Sequence, residues 1–523
     1  MQDKRPDICT TWVPDLLYTG GRFLRDAALA CDPAGRVIAV LDMGVLRELL
    51  GREPRREETL NVCEPESGVI FATRFVFLRG RALLPGMINA HSHAFQRVIR
   101  GRTEYRGAQS EDSFWTWREM MYAASARLTP EDIYDASRMA FMEMALGGIT
   151  SVGEFHYLHR APDGAEYDDP NLLSKQVVRA ARDVGIRIAL LRVAYARAGF
   201  RVPADERQRR FIEPDTETFT RNTESLLRDL ARDESADAPV PTAWVGVAPH
   251  SVRAVPRQYL REVRDFAAAR ELVLHMHVAE QPAEVTACVE ETGRTPVALL
   301  SDEGVLGERF TGVHAVHITP EEVAALASSS ACVCACPTTE RNLGDGVVPA
   351  DALFKAGVPV ALGTDSHTQI DMLEDARELE YHLRLLRFRR NVLAPAHGHD
   401  ESRGNGDDEP ARDAPDDASD ISALAARLFE CASLTGARSI GAHAGDLAPG
   451  RAADFFTVDL SDASIAGASA QDLLPAIVFS LSRAAVRETA VAGRLVVEDG
   501  RHAAQEEIIT RFAALQRRLW SEL

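Results

Sequence analysis

The chain has 523 residues, of which 46% are hydrophobic and 26% charged, and its formal net charge is −19. This length and composition suit one large barrel with an accessory domain. The negative charge argues against nucleic acid and acidic membranes as partners, although a local arginine cluster could still bind an anionic small molecule. Eight scattered cysteines, no signal-like N-terminus and no long apolar run predict a cytoplasmic protein with reduced thiols and no membrane span.

The two ends of the chain share a β-rich pattern. Residues 10–80 alternate short apolar stretches with turns, and the same pattern returns at 445–500. We expect these two segments to pair into one small β-sandwich, with residues 1–80 and 441–500 supplying its halves.

Strand and helix signals alternate through residues 81–440. The clearest helix covers 130–146, with Thr129 as N-cap and Pro130 at the first helical position. Eight β/α repeats predict an α/β fold of the TIM-type (β/α)8 class, whose active sites lie at the carboxyl ends of the strands. The strands, which read as buried on both faces, are expected at 83–90, 149–155, 187–194, 244–248, 272–278, 311–316, 331–335 and 359–364.

Two further segments complete the chain. Residues 394–420 hold nine acidic side chains and no aromatic one, so we interpret them as a flexible acidic insertion. The C-terminal segment 501–523 is expected to be a helix that packs through one face, formed by Ile508, Ile509, Phe512, Leu515 and Leu519.

Metal-ligand residues follow three of the predicted strands. His91 and His93 are two residues apart at the end of the first strand and therefore share one face. His277 ends the fifth strand, and Asp365 follows the eighth. Three imidazoles and one carboxylate would leave a bound divalent ion with about one net positive charge, which acidifies a bound water. The sequence therefore predicts one metal site at the barrel rim.

The number of metal ions follows from the lysines. The chain has only three, Lys4, Lys175 and Lys355, and none lies at a strand end where a carbamylated side chain could bridge two ions. We therefore expect one divalent ion, with zinc the first choice; iron, cobalt and manganese also accept this ligand set. His275 shares a strand face with His277 but is expected to be a buried second-layer residue.

These motifs resemble the amidohydrolase superfamily and its mononuclear aminohydrolase branch. The resemblance is carried by LPGMINAHSH (84–93), HVAE (277–280) and GTDS (363–366), and it extends over nearly the whole chain. It implies that Glu280 moves protons to the substrate nitrogen and that Asp365 is both ligand and general base. It also implies that His314 holds the water or polarises the leaving group, with His317 as the competing candidate, and that the protein is a homodimer.

The loops at the predicted rim carry arginines and a tyrosine, which favour a carboxylate-bearing ligand over a flat neutral ring. PHSVR (249–253), EFHYLHR (154–160) and SFWTWREMMY (113–122) supply most of them, and CPTTERNLGDG (336–346) adds to the likeness. Together they resemble members of the superfamily that act on N-formimino-L-glutamate, a dicarboxylate amidine. The resemblance implies hydrolysis to N-formyl-L-glutamate and ammonia in histidine degradation, with substrate-binding residues Gln96, Arg118, Tyr157, His250 and Arg253. Around Arg118 the neighbours Arg97, Arg100 and Arg106 stay as alternatives.

Two other functions remain open at this point. One is an aminohydrolase with another substrate, such as guanine or another purine, a pterin-like ring or a different N-formimino amino acid. The other is a catalytically silent scaffold of the same fold, which the presence of all four ligand residues and of Glu280 disfavours.

Overall fold

The computed structural model describes residues 8–56, 58–63, 70–105, 113–233, 240–395 and 422–521. Apart from its first two residues, the predicted insertion 394–420 lies outside the described residues. The described part has a central barrel and a second, mostly antiparallel sheet built from both ends of the chain. The predicted fold class is confirmed.

The N-terminal segment supplies six strands and one helix to the second sheet. Helix α1 lies in a region where the sequence pattern predicted strands only. Asp42 caps it by accepting from the backbone N–H groups of Gly44 and Val45, a short signal that the surrounding β pattern hides. The elements are β1 (Cys9–Thr19), β2 (Arg22–Leu24), β3 (Ala27–Cys31), β4 (Val37–Asp42), α1 (Met43–Leu50), β5 (Thr59–Cys63) and β6 (Ile70–Pro85).

Eight parallel strands form the barrel at or near the positions that the apolar runs predicted, except that residues 83–85 of the first predicted strand belong to β6. They pair in chain order, as expected for repeated β/α units. A two-stranded hairpin lies at the rim between the third and fourth barrel strands. The strands are β7 (Met87–Ser92), β8 (Ile149–His156), β9 (Arg187–Ala194), the hairpin β10 (Arg197–Gly199) and β11 (Val202–Pro203), β12 (Ala243–Pro249), β13 (Leu274–Val278), β14 (Phe310–His314), β15 (Cys332–Ala335) and β16 (Val360–Leu362).

The barrel closes between its first and last strands, next to the predicted metal ligands. The backbone N–H of His93 donates to the carbonyl of Asp365 at 3.1 Å, and the N–H of Asp365 donates to the carbonyl of His91 at 3.0 Å. The side chain of Asn89 adds a contact at this seam, because its Nδ2 donates to Oγ1 of Thr364 at 2.7 Å. The residues that close the barrel are thus the residues predicted to hold the ion.

Helices cover the outside of the barrel. The helix predicted at 130–146 has the predicted bounds, with Thr129 and Asp132 forming a reciprocal capping box. The helices are α2 (Phe114–Ser125), α3 (Pro130–Leu146), α4 (Leu172–Val184), α5 (Thr216–Asp233), α6 (Arg257–Ala269), α7 (Pro282–Thr292), α8 (Pro296–Asp302), α9 (Pro320–Ser328), α10 (Pro337–Leu343), α11 (Ala350–Lys355), α12 (Met372–Arg387), α13 (Ala423–Cys431), α14 (Leu434–Ile440), α15 (Leu473–Ser480) and α16 (Gln505–Trp520). None of the described helices combines the length and the apolar composition needed to cross a bilayer.

The last helix packs through most of its predicted face. Ile508, Phe512, Leu515 and Leu519 of α16 are buried, but Ile509 is 43% exposed. The prediction for Ile509 is wrong because it follows Ile508 directly, and adjacent residues are about 100° apart around a helix.

The C-terminal segment completes the second sheet. Its strands are β17 (Phe455–Asp459), β18 (Val486–Val491), β19 (Arg494–Glu498) and β20 (Arg501–His502). β17 pairs antiparallel with β6, so the two chain ends join as expected. The sheet order is β20-β19-β18-β17-β6-β1-β3-β4, with β2 on β1 and β5 on β6. β6 continues to Pro85, and the proposed segment boundaries at 80/81 and 440/441 stay predictions.

A buried ion pair joins the barrel to this sheet. The Nε of Arg187, at the start of β9, donates to Oδ2 of Asp454 at 2.9 Å. The other carboxylate oxygen of Asp454 accepts from the backbone N–H of Ala492 at 2.8 Å. Both side chains are at most 2% exposed, so the two sheets are held in one orientation by a fully desolvated contact.

Candidate metal centre and pocket

The four predicted ligand side chains converge. Nε2 of His91 lies 3.1 Å from Nε2 of His277 and 3.2 Å from Oδ1 of Asp365. Nε2 of His93 is also 3.2 Å from that oxygen. In a tetrahedral site with bonds of about 2.0–2.1 Å the ligand atoms are roughly 3.3 Å apart. The donor atoms and their spacing therefore fit one divalent ion.

The backbone orients two of the three imidazoles. Nδ1 of His93 lies 2.8 Å from the carbonyl of Phe155, and Nδ1 of His277 lies 3.1 Å from the carbonyl of His250. A carbonyl can only accept, so each Nδ1 carries the proton and each Nε2 presents a lone pair to the centre. Burial lowers the pKa of His91 to about 3, so this ring is also neutral.

A carboxylate behind the ligand loop holds it in place. Oε2 of Glu154 accepts from the hydroxyl of Ser92 at 2.5 Å, and its Oε1 accepts from the backbone N–H of Ala94 at 2.7 Å. The Ser92 hydroxyl also lies 3.0 Å from Nε2 of His367. Glu154 was not a predicted site residue, although it begins the EFHYLHR stretch that was singled out.

Strained backbone clusters at the same rim. Ala279, His314, Ala315, Asp365 and His367 all have φ between 44° and 71°. None of them is glycine, so each conformation costs energy that the surrounding packing must offset. The positions lie just after or at the ends of β13, β14 and β16, where the side chains turn toward the centre.

Glu280 and His314 lie next to each other beside the predicted ligands. Nε2 of His314 lies 3.7 Å from Oε1 of Glu280, and its ring stacks on His277 with 5.5 Å between centroids. Burial raises the pKa of Glu280. Burial lowers the pKa of His314, but the carboxylates of Glu280 and Glu340 outweigh it and raise that pKa well above its usual value. The pair can accept one proton and return it.

The predicted substrate residues line one cavity with three of the four predicted metal ligands. The lining includes His93, His277, Asp365, Glu280 and His314, together with Gln96, Arg118, Tyr157, His250 and Arg253. Nε2 of Gln96 donates to the Tyr157 hydroxyl at 2.8 Å. The buried Oε1 of Gln96 has no partner among the described residues, so it can accept from a ligand.

Two arginines in this cavity lack carboxylate partners. Among the described residues, neither guanidinium is paired with a carboxylate within 4.0 Å, although the carboxylates of Glu284 and Glu280 act on Arg253 at longer range. Arg118 stacks on the Trp115 ring at 4.4 Å, and its buried Nε has no hydrogen-bond partner in the described part of the chain. Unpaired guanidinium groups in a concave site indicate an anionic ligand.

The two alternative histidines, His275 and His317, lie away from the predicted ligand centre. Nε2 of His275 contacts the carbonyl of Ser439 at 2.8 Å, behind the ligand layer. Nε2 of His317 contacts the carbonyl of Asp345 at 2.8 Å, and the ring does not line the cavity. His314 is thus the strand-six histidine that faces the ligands.

Three polar side chains at or beside the pocket were not among the predicted site residues. Tyr122 and Tyr195 line the wall, and Glu340 contacts the far side of His314. Tyr122 ends a quoted motif, SFWTWREMMY, and Glu340 lies inside another, CPTTERNLGDG. Tyr195 directly follows β9, and that position at a strand end was the available signal.

The chain belongs to the amidohydrolase family, whose model matches residues 82–496. It is 30% identical to an amidohydrolase from Brucella melitensis of known crystal structure, with a TM-score of 0.78 over 98% of this chain and 100% of that one. Over 436 residues it is 40% identical to formimidoylglutamate deiminase of Pseudomonas aeruginosa, covering 83% of this chain and 88% of the relative. It is 28% identical to 8-oxoguanine deaminase of the same organism over 371 residues, 70% of this chain and 74% of that one.

Proposed function

We propose that this protein is a metal-dependent hydrolase that converts N-formimino-L-glutamate to N-formyl-L-glutamate and ammonia. The observation that carries the proposal is that Arg118 and Arg253, neither in an ion pair, line the same cavity as three of the four predicted ligands. A dicarboxylate amidine supplies two anionic groups for those arginines and a C–N bond for the metal end. The 40% identity to a formimidoylglutamate deiminase supports this assignment.

His91, His93, His277 and Asp365 would hold one divalent ion, and we expect zinc. When bound, such an ion lowers the pKa of a coordinated water and polarises the carbon–nitrogen group. The donor set, three neutral imidazoles and one carboxylate, suits zinc but also iron, cobalt or manganese.

The chain's own residues handle the protons. Asp365 and Glu280 are the carboxylates at the reacting end, and Glu280 is placed to accept a proton and pass it to the departing nitrogen. His314 holds a proton between Glu280 and Glu340, so it can stabilise the leaving group. The side chains of Glu280 and His314 are at least nine-tenths buried, which excludes water that would compete for those protons.

We expect Glu280 and Asp365 to favour the cationic amidinium and Arg118 and Arg253 to favour the carboxylates, so that the substrate is oriented by charge. All four side chains line the cavity. In the same cavity, we assign Gln96, Tyr157 and His250 as hydrogen-bonding partners of the substrate. A flat neutral purine has no carboxylate to pair with either guanidinium, so it would gain nothing from the two arginines.

The reaction is a step in histidine degradation, where the formimino group is removed hydrolytically. We expect the protein in the cytoplasm and as a homodimer, as the family resemblance implies.

The test is an ammonia-release assay on purified, zinc-loaded protein with a substrate panel. N-formimino-L-glutamate should be turned over, and guanine, 8-oxoguanine and adenosine should release little or no ammonia. Turnover of a purine but not of N-formimino-L-glutamate would contradict the proposal. Metal analysis of the same preparation should find about one equivalent of divalent ion per chain.

A further inference from the structure

Two buried tyrosines form the part of the pocket wall next to the unpaired arginines. Tyr122 and Tyr195 are 4% and 2% exposed and both line the cavity. The guanidinium of Arg118 lies over the Tyr122 ring at 5.5 Å. The Tyr195 ring is 4.5 Å from the ring of His250. Nothing in the proposed function uses their hydroxyl groups.

A buried glutamine behind the wall determines what these hydroxyls can do. Oε1 of Gln208 accepts from the backbone N–H of Asp205 at 3.2 Å, so its amide nitrogen must face the other way. That Nε2 donates to the Tyr122 hydroxyl at 3.2 Å and to the Tyr195 hydroxyl at 2.9 Å. Gln208 is 2% exposed, in a short helical turn capped by Asp205.

One hydroxyl proton of Tyr122 and Tyr195 has no acceptor within the cluster that the two tyrosines form with Gln208. The two N–H groups of Gln208 are directed at the two phenol oxygens. Tyr195 and Tyr122 also interact with each other, and one hydroxyl can donate to the other, but both cannot do so at once. At least one O–H must therefore point away from the cluster. Among the described residues, no acceptor takes a proton from either hydroxyl outside the pair, and the cavity is the space that both rings line.

We propose that Tyr122 and Tyr195, oriented by Gln208, are a hydroxyl donor site that binds a substrate carboxylate together with Arg118 and sets the preference for dicarboxylate amidines. The inference deepens the proposed function and rests on it. A carboxylate accepts hydrogen bonds and a phenol hydroxyl donates one, so the site favours an acid over an amide or amine at that position. Burial raises the pKa of Tyr195, so the hydroxyl keeps its proton at neutral pH.

Gln208 is a positioning residue in this scheme. Its neutral amide donates to both phenol oxygens, so the hydroxyl protons stay available to the ligand. A glutamate at this position has nearly the same shape but only accepts hydrogen bonds. Gln208→Glu should therefore draw both hydroxyl protons away from the cavity while preserving the packing.

The experiment compares KM and kcat of Tyr122→Phe, Tyr195→Phe, the double variant and Gln208→Glu with the wild type. The substrates are N-formimino-L-glutamate, N-formimino-L-alanine and N-formimino-4-aminobutyrate, so that each analogue lacks one carboxylate. The double variant and Gln208→Glu should raise KM for the diacid roughly 10- to 100-fold, with kcat within about threefold. For the analogue that lacks the carboxylate bound by the two tyrosines, these variants and the wild type should have the same KM.

The matched control is Tyr134→Phe, whose hydroxyl donates to Asp183 at 2.6 Å outside the pocket. It should leave KM unchanged, and the Tm of each variant shows that it is folded. If the wild type turns over the diacid and the double variant keeps KM within twofold, the hydroxyl site is wrong and the function stands.

A wild type that releases no ammonia from N-formimino-L-glutamate would overturn the proposed function instead. Calorimetric binding of glutarate to wild type and double variant then tests the hydroxyl site directly. Weaker glutarate binding by the double variant supports the site, and equal affinity overturns it.

Discussion

A carboxylate oxygen of Glu340 lies 3.3 Å from Nδ1 of His314. The same oxygen accepts from the backbone N–H of Cys336 at 2.8 Å, so the carboxylate itself is held in place. Nε2 of His314 faces Glu280 on the other edge of the ring. Glu340 therefore determines which nitrogen of His314 is presented to the reacting end.

Replacing Glu340 by Gln tests that relationship. The variant keeps the shape but replaces a charge-assisted hydrogen bond by a neutral one, so kcat should fall about tenfold with KM within twofold. Steady-state kinetics and metal analysis are the measurements, and metal content should not change. The control is Glu378→Gln, whose carboxylate pairs with Arg341 on the outside of the barrel. Equal kcat for the wild type and Glu340→Gln would show that the contact has no role in turnover.

The two histidines of β13 provide a matched pair for the metal site. His277→Asn should lower metal content to a small fraction of one equivalent and abolish activity, because a ligand is lost. His275→Asn should keep the metal and instead lose about 1–3 kcal/mol of stability, since its buried contact with Ser439 is weakened. Elemental analysis and urea unfolding distinguish the two effects. Full metal retention by His277→Asn would exclude it as a ligand.

Arg253→Ala tests the assignment of the anionic end. Leaving a bound carboxylate without its cationic partner costs about 2 kcal/mol or more, so KM for N-formimino-L-glutamate should rise roughly 30-fold or more. Metal content should stay at the wild-type level. Arg257→Ala is the control, because Arg257 is four residues further on, 56% exposed and paired with Glu303. An unchanged KM in Arg253→Ala would remove the dicarboxylate assignment.

Acid stability should depend on a buried ion pair below the barrel rim. Burial alone would raise the pKa of Glu213, but the Arg192 guanidinium lowers it from 4.5 to about 2. The unfolded chain therefore binds the proton more tightly, and this part of the stability is present above about pH 4.5 and is lost as the pH falls toward 2.

Urea unfolding between pH 5 and pH 3 measures this contribution. Glu213→Gln should remove the corresponding part of the pH dependence and cost roughly 3–5 kcal/mol at pH 7, because Arg192 is left buried without its counter-charge. Parallel pH profiles for wild type and variant would contradict the assignment.

Much of the barrel was predictable, because buried parallel strands leave near-continuous apolar runs and each ligand follows one of them. The pairing of the two chain ends was predictable because both alternate short apolar stretches with turns. Contacts between distant segments were not: Glu340 reaches His314 across 26 positions, and Gln208 orients Tyr122 across 86. Such pairs depend on the direction of loops after the strands, which neither periodicity nor composition encodes. Helix α1 was missed for a related reason, since one capping aspartate decides it inside a β-rich segment.

The predicted metal site lies at the seam between β7 and β16, so the availability of the metal should affect how long the protein survives in the cell. His91, His93 and Asp365 provide the backbone hydrogen bonds of that seam, and their side chains are among those that would surround the ion. Removing the ion with a chelator would remove its attraction to side chains on both sides of the seam. The backbone hydrogen bonds and the Asn89 side chain would then be left to hold the two strands together. Cells starved of the metal should therefore lose the protein itself through faster proteolytic turnover, in addition to losing its activity.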